Sequence, residues 1–318
     1  PEVKGISTAQ PNIGESWEIS GVSGHESIAV NRGLVDDVDE GLTLTELIDK
    51  YKGLLVGQKV YKQFGNQFPL LIKFIDSRQD LSVQVHPNDE LAMQRHGCAG
   101  KTEMWYIIKS DVGSKIYAGL KKSITPEDYE QLANAEPVGG HSPMQDVIAT
   151  HEAHEGDLYF LPAGRLHAIG AGNFLAEIQE TSDITYRVYD FGRKDAHGNP
   201  RELHIEQAKE AIDYSVCPDY RTNYTPVKNA ETPLVKCKYF TTNLFDLDKM
   251  VSKNLSALGS FVVVMCVAGK GELVDNEGDG SVHRLEIRQG ETILVPATSS
   301  TIEFHPDGAM TCLTSFIE

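Results

Sequence analysis

Two stretches of this chain align residue for residue: Gly156-Asp157-Leu158-Tyr159-Phe160-Leu161-Pro162-Ala163 and Gly290-Glu291-Thr292-Ile293-Leu294-Val295-Pro296-Ala297. Each reads as a turn glycine, a short buried strand and a proline exit. A segment closed so soon by proline leaves no room for a helix of useful length. Most of the remaining chain follows the same grammar, short runs of alternating character separated by Gly, Pro, Asn or Asp, which is the pattern of antiparallel sandwiches and barrels. The expected class is therefore all-β with a few short helices, built from two similar β units. A length of 318 residues accommodates two domains at about 150 residues each. The interval from Cys217 to Pro233 is polar and carries Pro218, Pro226 and Pro233, so the expected domains are 1–225 and 226–318.

Helices are predicted over Thr43–Lys50, Glu90–Arg95 and about Ile205–Tyr214. Another follows Thr125, where an N-cap, Pro126 at the first helical position and Asp128 at the third form a start signal. The longest strongly apolar run, Phe261 to Ala268, is far short of the ~20 residues of a membrane-spanning helix. Acidic side chains outnumber basic ones 46 to 29, giving a net charge of −17, so the overall field repels phosphate backbones and anionic headgroups. Neither nucleic acid nor membrane is expected as a partner. Five widely spaced cysteines without a Cys-x-x-Cys pair suggest neither a disulfide framework nor a thiolate metal site, and the cytoplasm is the expected compartment. The chain begins at Pro1 without Met, which fits a truncated start.

Polar residues gather on single faces of the predicted strands. Alternation places Ser82, Gln84 and His86 opposite Val83 and Val85, and it pairs Lys101 with Glu103, Glu177 with Gln179, and Thr185 with Arg187 and Tyr189. If those faces point into a barrel, His, Glu, Lys and Arg are buried together, which is costly unless they pair, bind a metal or meet a charged ligand. Two imidazoles, one carboxylate and an amide oxygen make a nitrogen and oxygen shell suited to zinc with a position open to water or substrate. His167 stands five residues past Pro162, whereas Thr301 stands five past Pro296, so only the first β unit is expected to hold a metal. Taken singly the pieces have duller readings. His86-Pro87-Asn88-Asp89 also fits a strand end with a helix cap, and Glu103 and Glu177 also fit solvated edge positions. Arg187 alone also fits a structural ion pair. His25, His96, His141, His151, His154, His197, His204, His283 and His305 show no ligand spacing and read as surface or satisfied core histidines.

Gly156, Pro162, Gly164 and His167 follow the second cupin motif. Four segments in order, Gln84-Val85-His86-Pro87, Gly100-Lys101-Thr102-Glu103, Leu161 to Ala168 and Thr181 to Arg187, resemble the type I mannose-6-phosphate isomerases, as does Glu15-Ser16-Trp17-Glu18-Ile19-Ser20. The resemblance spans the chain in the compact bacterial form, with two departures. No Trp-Gly-Gly opening precedes Glu15, and Ala171 stands where the cupin motif prefers Asn. It implies two cupin-type jelly-roll barrels, the second degenerate and metal-free, and a zinc-dependent interconversion of mannose 6-phosphate and fructose 6-phosphate. Carried over by residue, it implies one Zn2+ per chain at Gln84, His86, Glu103 and His167, with Arg187 catalytic and Lys101 and Glu177 lining the active site. Lys73, Ser82 and Arg193 match positions that hold phosphate.

The proton carrier stays open between Glu177, Lys101 and a zinc-bound water. Two other classes are weighed against the isomerase. An iron-dependent cupin oxygenase is disfavoured by Gln84-x-His86 in place of His-x-His, and a non-catalytic sugar-phosphate-binding cupin by the joint presence of Lys101, Glu177 and Arg187. A monomer or weak homodimer is expected.

Overall fold

The computed structural model describes residues 2–7, 13–30, 39–138, 141–194 and 197–318. Strand dominates, as the punctuation predicted. The N-terminal part contains β1 (Glu15–Ile19), α1 (Leu44–Tyr51), α2 (Gly53–Val56), α3 (Gln58–Phe64) and β2 (Leu70–Ser77). In the middle lie β3 (Val83–Val85), α4 (Asp89–His96), β4 (Glu103–Ser110), β5 (Lys115–Leu120), α5 (Pro126–Asn134), β6 (Ile148–Glu152), β7 (Leu158–Leu161), β8 (His167–Ile169), β9 (Asn173–Glu180), β10 (Tyr186–Tyr189) and α6 (Ile205–Ala211). The C-terminal strands are β11 (Glu231–Lys236), β12 (Thr241–Leu247), β13 (Val251–Asn254), β14 (Val262–Glu277), β15 (Val282–Arg288), β16 (Thr292–Val295) and β17 (Ser299–Phe316).

Local chemistry explains the helix ends. Thr43 caps α1 in a reciprocal box with Glu46, and Thr125 caps α5 in the same way with Asp128, Pro126 sitting at the first helical turn. Helix α6 stops at Ala211, earlier than Tyr214, because the Asp213 N–H leaves the helix to donate to Gly164 O at 2.7 Å. Helices α2 and α3 carry no readable 3.6-residue period because Gly53, Gly57 and Gly65 interrupt them. Gly57 has φ +96°, and a Cβ there would lie 2.1 Å from the Gly259 carbonyl oxygen, so no other residue fits.

The chain forms two compact units, one of Pro1–Phe74 with Asn223–Glu318 and one of Ile75–Thr222. The first 74 residues thus group with the C-terminal strands. In the first unit β1 lies beside β2, and the C-terminal strands run in the order β11-β12-β17-β14-β15, with β13 on β17 and β16 on β14. Phe245, Val262, Val264, Leu273, Ile302 and Phe304 are buried in its core.

In the second unit the end of β2 leads into a sheet continuing β9-β4-β7, and a second sheet runs β10-β3-β8-β5-β6. Trp105, Ile107, Tyr159, Leu161 and Leu175 of the first sheet meet Ile116, Ala118 and Ile169 of the second in one core. The outer face of the second sheet, with Val83, Val85, Ala168, Tyr186 and Val188, packs on Tyr129 of α5 and Ala208 of α6. The repeat noted in the sequence is structural as well: Gly156 (φ +84°) and Gly290 (φ +87°) precede β7 and β16, and each strand ends at the residue before its proline.

Candidate active site

The site grows out of β3. Val83 and Val85 point into the outer core, so Gln84 and His86 face the opposite way, between the sheets. Both readings of His86-Pro87-Asn88-Asp89 hold together: the Asn88 side chain accepts the Leu91 N–H and caps α4, while His86 carries on the inward alternation. The turn is clamped from both sides, with the Gly164 N–H donating to His86 O and the Lys101 N–H to Pro87 O. Antiparallel register then brings further polar side chains alongside. Gln84 stands opposite His167 on β8 and opposite Arg187 on β10, and on the facing sheet Glu103 stands opposite Gln179 and Trp105 opposite Glu177.

His86, Glu103 and His167 are buried together, and their ligand atoms all lie within 4.8 Å of one another. His86 Nδ1–H donates to Ile184 O at 2.8 Å and His167 Nδ1–H to Arg165 O at 2.7 Å. Both rings are thereby fixed with Nε2 as a lone pair directed inward. The two Nε2 atoms are 3.1 Å apart, with Glu103 Oε2 3.5 Å from His86 Nε2 and Oε1 3.3 Å from His167 Nε2. Among the described residues no hydrogen-bond donor is aligned on either oxygen of Glu103, which is fully buried. Two imidazole lone pairs facing each other across a buried carboxylate repel one another until a cation sits between them, so these donors fit a metal ion. Gln84 Nε2 lies 3.3 Å from His167 Nε2, and a half-turn of its amide aims an oxygen at the same point.

The electrostatics favour neutral imidazoles at His86 and His167 and an ionised carboxylate at Glu103, the protonation states in which such groups bind metal ions. Burial, then the Lys101 charge, pushes His86 down to about 3, and burial lowers His167 also. Against the upward push of burial, the Lys101 ammonium, 3.0 Å from Glu103 Oε2, holds that carboxyl well below the usual range.

The other expected residues are distributed as follows. Glu177 is buried on the inward face that also carries Glu103, its Oε2 accepting the Trp105 indole N–H at 2.8 Å, and Trp105 meets the His167 ring edge to face at 5.3 Å. Arg187 sits next to Gln84 in register, its Nη1 donating to Glu202 O at 2.9 Å and its backbone N–H to His204 Nδ1 at 3.1 Å. Arg193 is paired with Asp190, and Ser82 is buried at the start of the β3 segment. Lys73 belongs to the other unit, 3.7 Å from Glu15 and over the Trp17 ring. Three residues that bond to these side chains or their neighbours were not among the expected ones. Trp105 reads as ordinary core, while Arg201 and His204 lie in a polar loop whose pairing with β10 has no sequence signal.

Glu180, at the end of β9, accepts the Thr102 N–H at 2.7 Å. Burial, reinforced by the nearby Asp89, raises its carboxyl to about 7. The folded chain therefore holds a proton that the unfolded chain has released between pH ~4.5 and ~7, so stability falls as pH rises through that window by up to about 3 kcal/mol. Glu180→Gln is expected to remove most of that slope. Urea-unfolding free energies of wild type and variant at pH 5 and pH 8 measure it, and equal slopes in the two proteins would contradict the assignment.

The family model for the type I phosphomannose isomerase catalytic domain matches residues 6–104, and that for the mannose-6-phosphate isomerase cupin domain matches residues 230–317. The chain is 31% identical to the mannose-6-phosphate isomerase ManA of Bacillus subtilis (strain 168), covering 98% of this chain and 92% of that one. It is 30% identical to the mannose-6-phosphate isomerase of Streptococcus mutans, covering 95% and 89%. A solved structure of the mannose 6-phosphate isomerase from Bacillus subtilis superposes with a TM-score of 0.82 at 28% identity, covering 99% of this chain and 93% of that one. Among the described residues no helix is long and apolar enough to cross a membrane. Matched over nearly its whole length, and with a buried His, Glu, His cluster in the unit that its motifs single out, the chain belongs to the type I mannose-6-phosphate isomerases.

Proposed function

We propose that this isomerase interconverts mannose 6-phosphate and fructose 6-phosphate by proton transfer between C2 and C1 through a cis-enediol, with one zinc ion per chain held by Gln84, His86, Glu103 and His167. The observation that carries this reading is the pair of buried imidazole lone pairs 3.1 Å apart beside Glu103. Bound there, zinc supplies Lewis-acid polarisation of the sugar oxygens at C1 and C2.

The chain's own groups divide the remaining work. Arg187, permanently cationic and held at Nη1 by Glu202 O, stabilises negative charge as the enediolate forms. Glu177, fixed by the Trp105 indole, moves the proton from C2 to C1. Lys101 keeps Glu103 ionised and adds positive charge beside the reacting oxygens. The walls around Trp105, Tyr159 and Leu161 exclude water from the enediol. For the phosphate, the assignments of Lys73, Ser82 and Arg193 rest on the sequence resemblance.

In this reading residues 1–225 form the catalytic cupin part and 226–318 a second, degenerate barrel without metal, consistent with Thr301 at the place of the ligand histidine. The protein acts in the cytoplasm as a monomer or weak homodimer. The zinc-loaded chain is expected to produce fructose 6-phosphate from mannose 6-phosphate in a coupled assay and to consume no oxygen when loaded with iron. Zinc-loaded protein that forms no fructose 6-phosphate would overturn the proposal.

A further inference from the structure

Beyond β10 the chain makes a turn in which the Arg193 N–H donates to Asp190 O at 3.0 Å, and Lys194 and Pro200 form a bridge. The returning segment is tied to β10: the His204 N–H donates to Arg187 O at 2.7 Å and the Arg187 N–H to His204 Nδ1 at 3.1 Å. This pairing brings Arg201 onto Asp190. Arg193 donates through Nε and Nη2 to Asp190 Oδ1, while Arg201 donates through Nε to Oδ2 at 2.6 Å and through Nη2 to Oδ1. One carboxylate thus holds two guanidiniums, and their charges add to the effect of burial in weakening the hold of Arg187 on its proton.

A single arginine would satisfy Asp190 and lock the turn. The second adds a like charge beside Arg193 and Arg187, an arrangement that costs free energy unless an anion completes it. The exposures show from which side that anion would come. The Asp190 side chain is 6% exposed, whereas those of Arg193 and Arg201 are 27% and 39% exposed, so the carboxylate lies beneath and the guanidiniums face outward. The Nη1 group of each lies outside the bonds to Asp190, and forked N–H donors suit a phosphate.

We propose that Arg201 is a direct ligand of the substrate's phosphate, acting with Arg193 in a two-arginine clamp that Asp190 organises from below. The ligand class is a phosphate monoester dianion. The inference deepens the isomerase reading and rests on it for the identity of the sugar.

The test compares wild type, Arg201→Ala and Arg201→Lys as zinc-loaded full chains, using steady-state kinetics with mannose 6-phosphate and calorimetric titration with inorganic phosphate. Arg201→Ala is expected to raise KM about tenfold or more, with kcat changed less than about threefold, and to weaken inorganic phosphate binding by a similar factor. Zinc content and melting temperature should stay at wild-type values, and Arg201→Lys should recover part of the phosphate affinity. Unchanged KM and unchanged phosphate affinity in folded Arg201→Ala would overturn the proposal. So would a drop in melting temperature and kcat without loss of phosphate affinity, the mark of a purely structural residue. If Arg201→Ala does not fold, Arg201→Lys decides by the same phosphate titration, unaltered affinity counting against the clamp. A wild-type chain that binds phosphate through Arg201 yet forms no fructose 6-phosphate would uphold the clamp and reject the isomerase reading.

Discussion

Replacing His167 with alanine is expected to remove metal and activity together. Its Nε2 lies 3.1 Å from that of His86 and 3.3 Å from Glu103 Oε1, and its Nδ1–H is pinned by Arg165 O, so the substitution removes one of the two imidazole lone pairs that face each other. Loss of groups that merely orient a metal ligand typically costs ~10–100-fold, and loss of the ligand itself should exceed that, to on the order of 10³-fold or more in kcat/KM. Zinc content after gel filtration and turnover in the coupled assay are the two readouts. The wild-type melting temperature should rise with added zinc, and that of the variant should not. A full zinc complement in purified His167→Ala would reject His167 as a ligand.

Arg187→Ala is expected to separate the two properties that His167→Ala loses together. Arg187 neighbours Gln84 in the β3–β10 register, but it bonds to Glu202 and His204, so the cluster of His86, Glu103 and His167 should keep its metal. Turnover should fall by about 10²–10³-fold, the usual cost of removing one donor from a preorganised site for developing negative charge. Lysine at this position restores the charge but not the planar fork, so Arg187→Lys should recover only a fraction. Near-wild-type turnover of metal-loaded Arg187→Ala would remove Arg187 from the mechanism.

The gathering of His86, Glu103 and His167 was legible in the sequence because a strand's two-residue period is simple. Once Val83 and Val85 are read as core, Gln84 and His86 must face the other way, and the glycine-to-proline repeat points to His167 by its difference from Thr301. Side-chain burial was less legible. Glu103 and Glu177 fit solvated edges when read alone, yet both are buried, because β4 lies between β7 and β9 in the interior of its sheet. Cross-strand register is set by tertiary pairing, so the contacts of Glu177 with Trp105 and of Gln84 with His167 have no signature along the chain.

Domain grouping was hidden for the same reason. Nothing local in residues 1–74 announces that they group with the C-terminal strands. The helices α2 and α3 were lost among glycines, and the return segment carrying Arg201 and His204 looked like any polar loop. The histidines read as satisfied are indeed partnered in several cases, His96 with the Tyr186 hydroxyl and His204 with the Arg187 N–H among them.

Catalysis is expected to depend on one zinc ion in the cluster built by Gln84, His86, Glu103 and His167. The most direct measurement is a titration of chelator-stripped protein with zinc, following metal content and mannose 6-phosphate turnover in the same samples. Activity absent from the stripped chain, rising in proportion to bound zinc and levelling at about one ion per chain is the predicted result. Full turnover by demonstrably metal-free protein, or one bound zinc without turnover, would contradict the account.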